Sequence, residues 1–65
     1  MTVVEKFKKE AREYIKAIRE DLEVNGTDID YFLFICKSFQ NTKALMYSSK
    51  ELRKADLTEF FKTFY

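Results

Sequence analysis

Apolar positions recur at three- and four-residue intervals over the first third of the chain: Val4, Phe7, Ala11, Tyr14, Ile15, Ile18 and Leu22. Such intervals line up on one stripe of a helix, with charged residues filling the other faces. The stripe predicts a helix over 2–24. Thr2 suits its N-cap, and Glu5, three residues on, completes a capping box. Glu5 and Lys9 add an i,i+4 pair in the favourable order. A helix of this length reaches about 33 Å, so either its ends overhang a small core or a second copy covers them. Asn25-Gly26 is the expected stop, because glycine takes the left-handed position after a helix without steric cost. Thr27-Asp28-Ile29 then leads into the centre of the chain as a short connector.

The pattern changes there. Tyr31-Phe32-Leu33-Phe34-Ile35-Cys36 is six apolar or aromatic residues in a row behind Asp30, and a run this short suits a buried strand or a buried helix equally by periodicity. As a helix it puts Ile29, Phe32, Leu33, Cys36 and Phe39 on one face and turns Phe34 and Tyr31 toward water. As a strand it sends Phe32, Phe34 and Cys36 to one side, and Tyr31, Leu33 and Ile35 to the other. Residue type favours the strand, since aromatic and β-branched side chains sit well on a pleated, half-buried surface. Gln40-Asn41-Thr42 reads as a turn, because asparagine tolerates the left-handed conformation. Lys43-Ala44-Leu45-Met46-Tyr47 alternates enough for a short return strand. The reading is a β-hairpin with strands over 30–38 and 43–48.

A closing helix is placed at 54–64, where Leu57, Phe60, Phe61 and Phe64 make a buried stripe. Leu52 before it meets Leu57 as a hydrophobic staple, and Asp56 lies in the first turn, favourable against the helix dipole. Arg53 caps poorly, which leaves Ser48 or Ser49 as the start of an extra turn. The expected fold class is thus α+β, one small helix–hairpin–helix domain (α-β-β-α) completed by oligomerisation. The alternative is an all-α three-helix bundle.

Composition sharpens the need for a partner. A chain of 65 residues buries only about 60% of the surface its unfolded state exposes, and domains this small usually add disulfides, a metal or oligomerisation. One cysteine excludes an internal disulfide, and the absence of histidine argues against structural zinc. Oligomerisation remains, as a dimer or larger. Of the residues, 46% are hydrophobic and 17% aromatic, enough to supply an interface. One hairpin face stays uncovered, Phe32 with Phe34 or Tyr31 with Leu33 and Ile35; either is larger than a monomer should leave in water, and the second is taken as the contact. With Phe61, Phe64 and Tyr65 it makes up the expected interface.

The net charge of +1 sets up no global field toward nucleic acid or membrane. The distribution is uneven, however. Glu20, Asp21, Glu23, Asp28 and Asp30 follow one another without a base, and Lys37, Lys43, Lys50, Arg53 and Lys54 face only Glu51. Lys43, Tyr47, Lys50, Arg53 and Lys54 are the candidate ligand-binding residues: cations beside a helix start attract anions, and an aromatic ring there can stack on a base. Cys36 has no histidine to activate it, and an apolar setting raises a thiol pKa, so it reads as core. Asp28 and Asp30 are paired carboxylates without a pocket. No catalytic motif, metal cluster, cofactor site or phosphate-cradling glycine loop is present, and an enzyme is not expected.

The N-terminal residues lack the apolar core of a secretory signal, no stretch approaches the length of a membrane span, and an unpaired thiol suits a reducing compartment. A cytoplasmic location follows, in a bacterial or infected host cell if the Lys, Phe, Tyr and Ile bias reflects AT-rich coding. The leading expectation is a non-enzymatic regulatory protein that binds or sequesters a protein partner, as small virus- or mobile-element-encoded inhibitors of host factors do. The alternative is an oligomeric binder, or sponge, of a phosphate-bearing ligand such as a nucleotide or cyclic dinucleotide, or of nucleic acid.

Overall fold

The central run is a helix. In the computed structural model, which describes residues 2–25 and 28–65, 18 residues from Ile29 to Met46 form one unbroken α-helix. No strand occurs among the described residues. The α+β expectation, with strands over 30–38 and 43–48, is therefore overturned, and the all-helical alternative fits. The chain order is α1 (Val3–Asn25), α2 (Ile29–Met46), α3 (Lys50–Lys54) and α4 (Thr58–Lys62).

Local chemistry explains why helix wins at the centre. Asp28 is the N-cap of α2, its carboxylate accepting a hydrogen bond from the Tyr31 amide at 2.9 Å. No glycine or proline interrupts residues 29–46, so nothing forces a turn at Gln40-Asn41-Thr42. Phe32, Cys36, Gln40 and Ala44 are buried while Phe34, Ser38 and Thr42 between them are exposed, a division that a helix makes and that a strand, which sets all seven on one side, does not. Strand preference reflects packing on a sheet rather than a fixed backbone tendency, and the described residues offer no sheet to join.

Two consecutive serines divide the second half of the chain. Ser48 has a positive φ of 51°, the left-handed position in which glycine is usual. Its amide donates to Leu45 O at 3.2 Å, and the Ser49 amide to Ala44 O at 2.9 Å. This bonding pattern closes a helix in a Schellman motif. Ser49 at once caps α3, accepting from the Leu52 amide at 3.0 Å. The expected helix over 54–64 is accordingly split. α3 stops at Lys54, and Ala55 is extended. The Asp56 carboxylate then accepts from the Thr58 amide at 3.1 Å to start α4. Leu52 and Leu57 are both buried but belong to different turns of chain.

α1 starts as read, with the Glu5 amide donating to the Thr2 hydroxyl at 3.1 Å. Its 23 residues set the 34 Å long dimension of the molecule, which is 19 by 18 Å across. The Gly26 stop and Thr27 of the connector lie outside the described residues. The core draws on every helix: Phe7, Ala11 and Ile15 from α1, Phe32, Cys36 and Ala44 from α2, Leu52 from α3, and Phe61 from α4, with Leu57 just before it. Phe7 meets Phe61 edge-on at 6.4 Å between ring centroids and Phe39 at 5.5 Å. Edge-on and tilted contacts suit the quadrupoles of the rings.

One buried polar side chain ties α3 down. Gln40, 6% exposed, donates from Nε2 to Leu52 O at 2.8 Å and to Ala55 O at 2.9 Å. A helix end leaves its last carbonyls without intrahelical partners, and Gln40 supplies donors from the neighbouring helix. The residue read as part of a turn is a cap for α3.

Candidate functional site

The five residues read as a phosphate site do not come together. Lys43 and Tyr47 turn toward α1. The Tyr47 hydroxyl lies 2.8 and 2.7 Å from the two carboxylate oxygens of Glu10, and Lys43 Nζ is 3.5 Å from the same group. Lys43 also lies over the Phe39 and Tyr47 rings, and Lys6 covers Tyr47 from the other helix. This cluster staples α1 to the end of α2. Lys50, Arg53 and Lys54 stand on α3, exposed to solvent.

Glu10 and Tyr47 set each other's titration. The Tyr47 hydroxyl, helped by Lys43 and Lys6 and opposed by partial burial, holds the Glu10 carboxyl below its ordinary 4.5. The same hydrogen bond, with burial and the Glu10 charge, pushes the Tyr47 phenol above 10.0. A carboxyl held low when folded contributes stability above its unfolded pKa and loses it as pH falls through the folded value. A phenol held high contributes below its unfolded pKa and loses it as pH rises through the folded one. Phenolate absorbance of the native chain minus that of Tyr47→Phe should therefore show a group titrating above 10.0. In Glu10→Gln that group should move back toward 10.0, and the urea midpoint should depend less on pH below 4.5. A Tyr47 titration indifferent to Glu10→Gln would mean that the two groups do not meet in solution.

Arg53 and Lys54 share a groove with Lys37 between α2 and the segment 53–58. Its volume is about 520 Å³, and Phe34, Asn41 and Asp56 also line it. Asp56 is held below the usual carboxylate range by its bonds to Thr58, with help from Lys37. Lys50 and Arg53 edge a smaller depression of about 230 Å³ beside Leu45 and Ser48.

The expected interface is redrawn by the change from strand to helix. At 3.6 residues per turn, Leu33 lies about 200° round the axis from Tyr31, so Tyr31, Leu33 and Ile35 are no longer one face. Leu33 packs against the core and Ile35 is half-buried. Phe61 is fully buried at the centre and cannot be a contact residue in the folded chain. Phe64 packs edge-on against Phe60 at 5.2 Å, and the half-exposed Tyr65 sets its ring 5.4 Å from Phe32. Of the six, Tyr31 alone is mainly exposed surface on α2.

A different surface takes its place. Tyr31, Phe34, Ser38, Asn41, Thr42 and Leu45 are all exposed and fall on one stripe, opposite the buried Phe32, Cys36, Gln40 and Ala44. Met46 adjoins its end. Tyr31 and Phe34 lie near-parallel with ring centroids 6.5 Å apart, and the Thr42 hydroxyl is satisfied by Ser38 O at 3.0 Å. The stripe carries no charge; Asp30 and Lys37 stand at one edge. On α1 the contrast is plain. Every exposed residue from Glu5 to Asp21 is charged except Tyr14 and Ala17. Leu45 and Met46 were missed because the strand reading breaks the element at Gln40-Asn41-Thr42; a helical projection carried through to residue 46 adds them to Tyr31 and Phe34.

Reactive chemistry is thin. Cys36 is fully buried, and burial pushes its thiol up to about 11, which leaves it a poor nucleophile. Among the described residues no three His, Cys, Asp or Glu side chains gather where they could hold a metal ion. No helix among them is long and apolar enough to cross a membrane. Asp28 is committed to the α2 cap. Compared with protein-family models, with curated proteins and with solved structures, the chain matches none.

Proposed function

We propose that this is a non-enzymatic interaction protein that docks a protein partner on the outer face of α2. One observation carries the reading: a chain in which 35% of residues are charged keeps a whole helical stripe uncharged and places Tyr31, Phe34, Leu45 and Met46 on or beside it in water. The apolar side chains stand at the two ends of the stripe, with Ser38, Asn41 and Thr42 between them, and aromatic residues with few charges typify the centre of an interface. A rigid helix held from behind by the core loses little freedom on binding. The mechanism is steric occupation, with the flanking charges setting orientation.

The groove holding Lys37, Arg53 and Lys54 favours a second reading, a phosphate-bearing ligand. Salt separates the two, since phosphate contacts weaken steeply as salt rises and an apolar contact does not. The direct test places a photo-activatable phenylalanine analogue at position 34, and at position 16 on the charged face of α1, in the cell that makes the protein. Position 34 is expected to give a discrete protein adduct that persists in high salt, and position 16 none. Equal labelling from both positions, or none from 34, would remove the α2 face as a docking site.

A further inference from the structure

We infer that the occupant of the α2 face is a second copy of this chain, packed antiparallel across a two-fold axis near Ser38; this rests on the docking reading above. The first argument is charge at the ends of the stripe. Asp28 and Asp30 stand at its N-terminal end, while Lys50 and Arg53 border the depression beside Leu45 at its C-terminal end. An antiparallel copy sets each acidic end against the other's basic end and opposes the two helix dipoles. A parallel copy would set like charge on like.

The second argument is the stripe itself, which is self-complementary about its middle. A two-fold axis at Ser38 brings Tyr31 to the copy's Leu45, and Phe34 to the copy's Thr42. Large side chains at the ends then meet, while the small Ser38 sits at the crossing, where helix backbones approach most closely. Lys37, at the edge, comes near its own counterpart; Asp56 of the same chain, already under its influence, offsets that charge.

Area supports the pairing. Tyr31, Phe34, Leu45 and Met46 are 54%, 66%, 67% and 66% exposed; at about 200 Å² for each large side chain this amounts to roughly 500 Å² per copy. The pair then buries about 1,000 Å², where specific interfaces begin. The dimer is accordingly at the weak end of its class, and it populates with concentration.

Cysteine cross-linking of the full chain tests the geometry. Packed helices lie about 8–10 Å apart with Cα atoms about 2.3 Å from each axis, so facing Cα atoms at the axis come within disulfide range. Ser38→Cys should oxidise to a covalent dimer. Tyr31→Cys should not, since its own counterpart is about 21 Å away along the helix, but it should link to Leu45→Cys when the two variants are mixed. The unsubstituted chain, with Cys36 buried, is the control and should stay uncross-linked. Sedimentation equilibrium from micromolar to millimolar chain should show a monomer–dimer equilibrium, weakened about tenfold or more by Phe34→Glu.

A monomer throughout that range, or Ser38→Cys that fails to link, overturns the pairing. Tyr31→Cys linking to itself overturns its antiparallel sense. If the chain is monomeric while position 34 still labels a protein of another mass, the second copy is refuted and the docking face stands. If position 34 labels nothing, both fall.

Discussion

Phe61→Ala is expected to remove about a third or more of the stability of this protein. The ring is fully buried, edge-on to Phe7 at 6.4 Å and 5.7 Å from Phe60. Truncating a buried phenylalanine to alanine costs about 3–5 kcal/mol, the transfer of the ring plus the cavity left behind. Chains of this size are marginal: at about 0.05–0.15 kcal/mol per residue, the whole molecule is worth roughly 3–10 kcal/mol. α4 offers no reserve, since its five residues are too few to hold a helix without packing. Urea unfolding followed by far-UV circular dichroism should show the midpoint falling by about a third or more, or no folded baseline at all. Phe34→Ala, on the outer face, should shift stability by no more than about 0.5 kcal/mol. If the two variants unfolded alike, Phe61 would belong to a surface and the core as described would be wrong.

That contrast shows where the sequence is legible. α1 was readable because its stripe and cap agree: Phe7, Ala11 and Ile15 are buried at four-residue spacing, and Thr2 bonds the Glu5 amide. The aromatic run of α2 was not, because six apolar residues in succession fit either period. The deciding signals lay outside the run. Asp28 three residues before Tyr31 is a capping arrangement, and the absence of glycine and proline from 29 to 46 leaves a hairpin without a proper turn. Ser48 was obscured for a different reason. A left-handed residue that is not glycine costs about 1–2 kcal/mol, so residue identity gave no warning that α2 ends there.

The candidate site divides along the same lines. Lys43 and Tyr47 looked free for a ligand because Glu10 is 33 positions or more away in the chain and their meeting is purely tertiary. Phe61 looked like interface because a C-terminal aromatic cluster does not disclose which ring turns inward. The uncharged outer stripe of α2, by contrast, was within reach of periodicity, since the helical alternative already turned Phe34 and Tyr31 toward water. Extending that projection to Leu45 and Met46 required a helix continuing through Gln40-Asn41-Thr42, the tripeptide that reads most like a turn.

Gln40 is therefore the residue on which the second large effect is expected. Gln40→Met keeps nearly the same length and volume, so packing changes little, but it removes both amide donors. Leu52 O is then buried without a partner, and Ala55 O, in a part-buried bond, loses its own. An unsatisfied buried carbonyl costs about 1–3 kcal/mol, and a bond that water can replace about 0.5–1.5 kcal/mol. Together the loss is roughly 2–4 kcal/mol. The effect should be concentrated in space as well as large. α3 has five residues, is capped at its start by Ser49, and is held at its end by Gln40. Amide hydrogen exchange in Gln40→Met should speed up across residues 50–57 beyond what the global loss of stability accounts for. Because α3 carries Lys50, Arg53 and Lys54, loosening it also unfixes the basic end of the α2 stripe. A Gln40→Met chain as stable as the parent, with unaltered exchange in α3, would mean that water caps those carbonyls and that α3 is positioned by Leu52 alone.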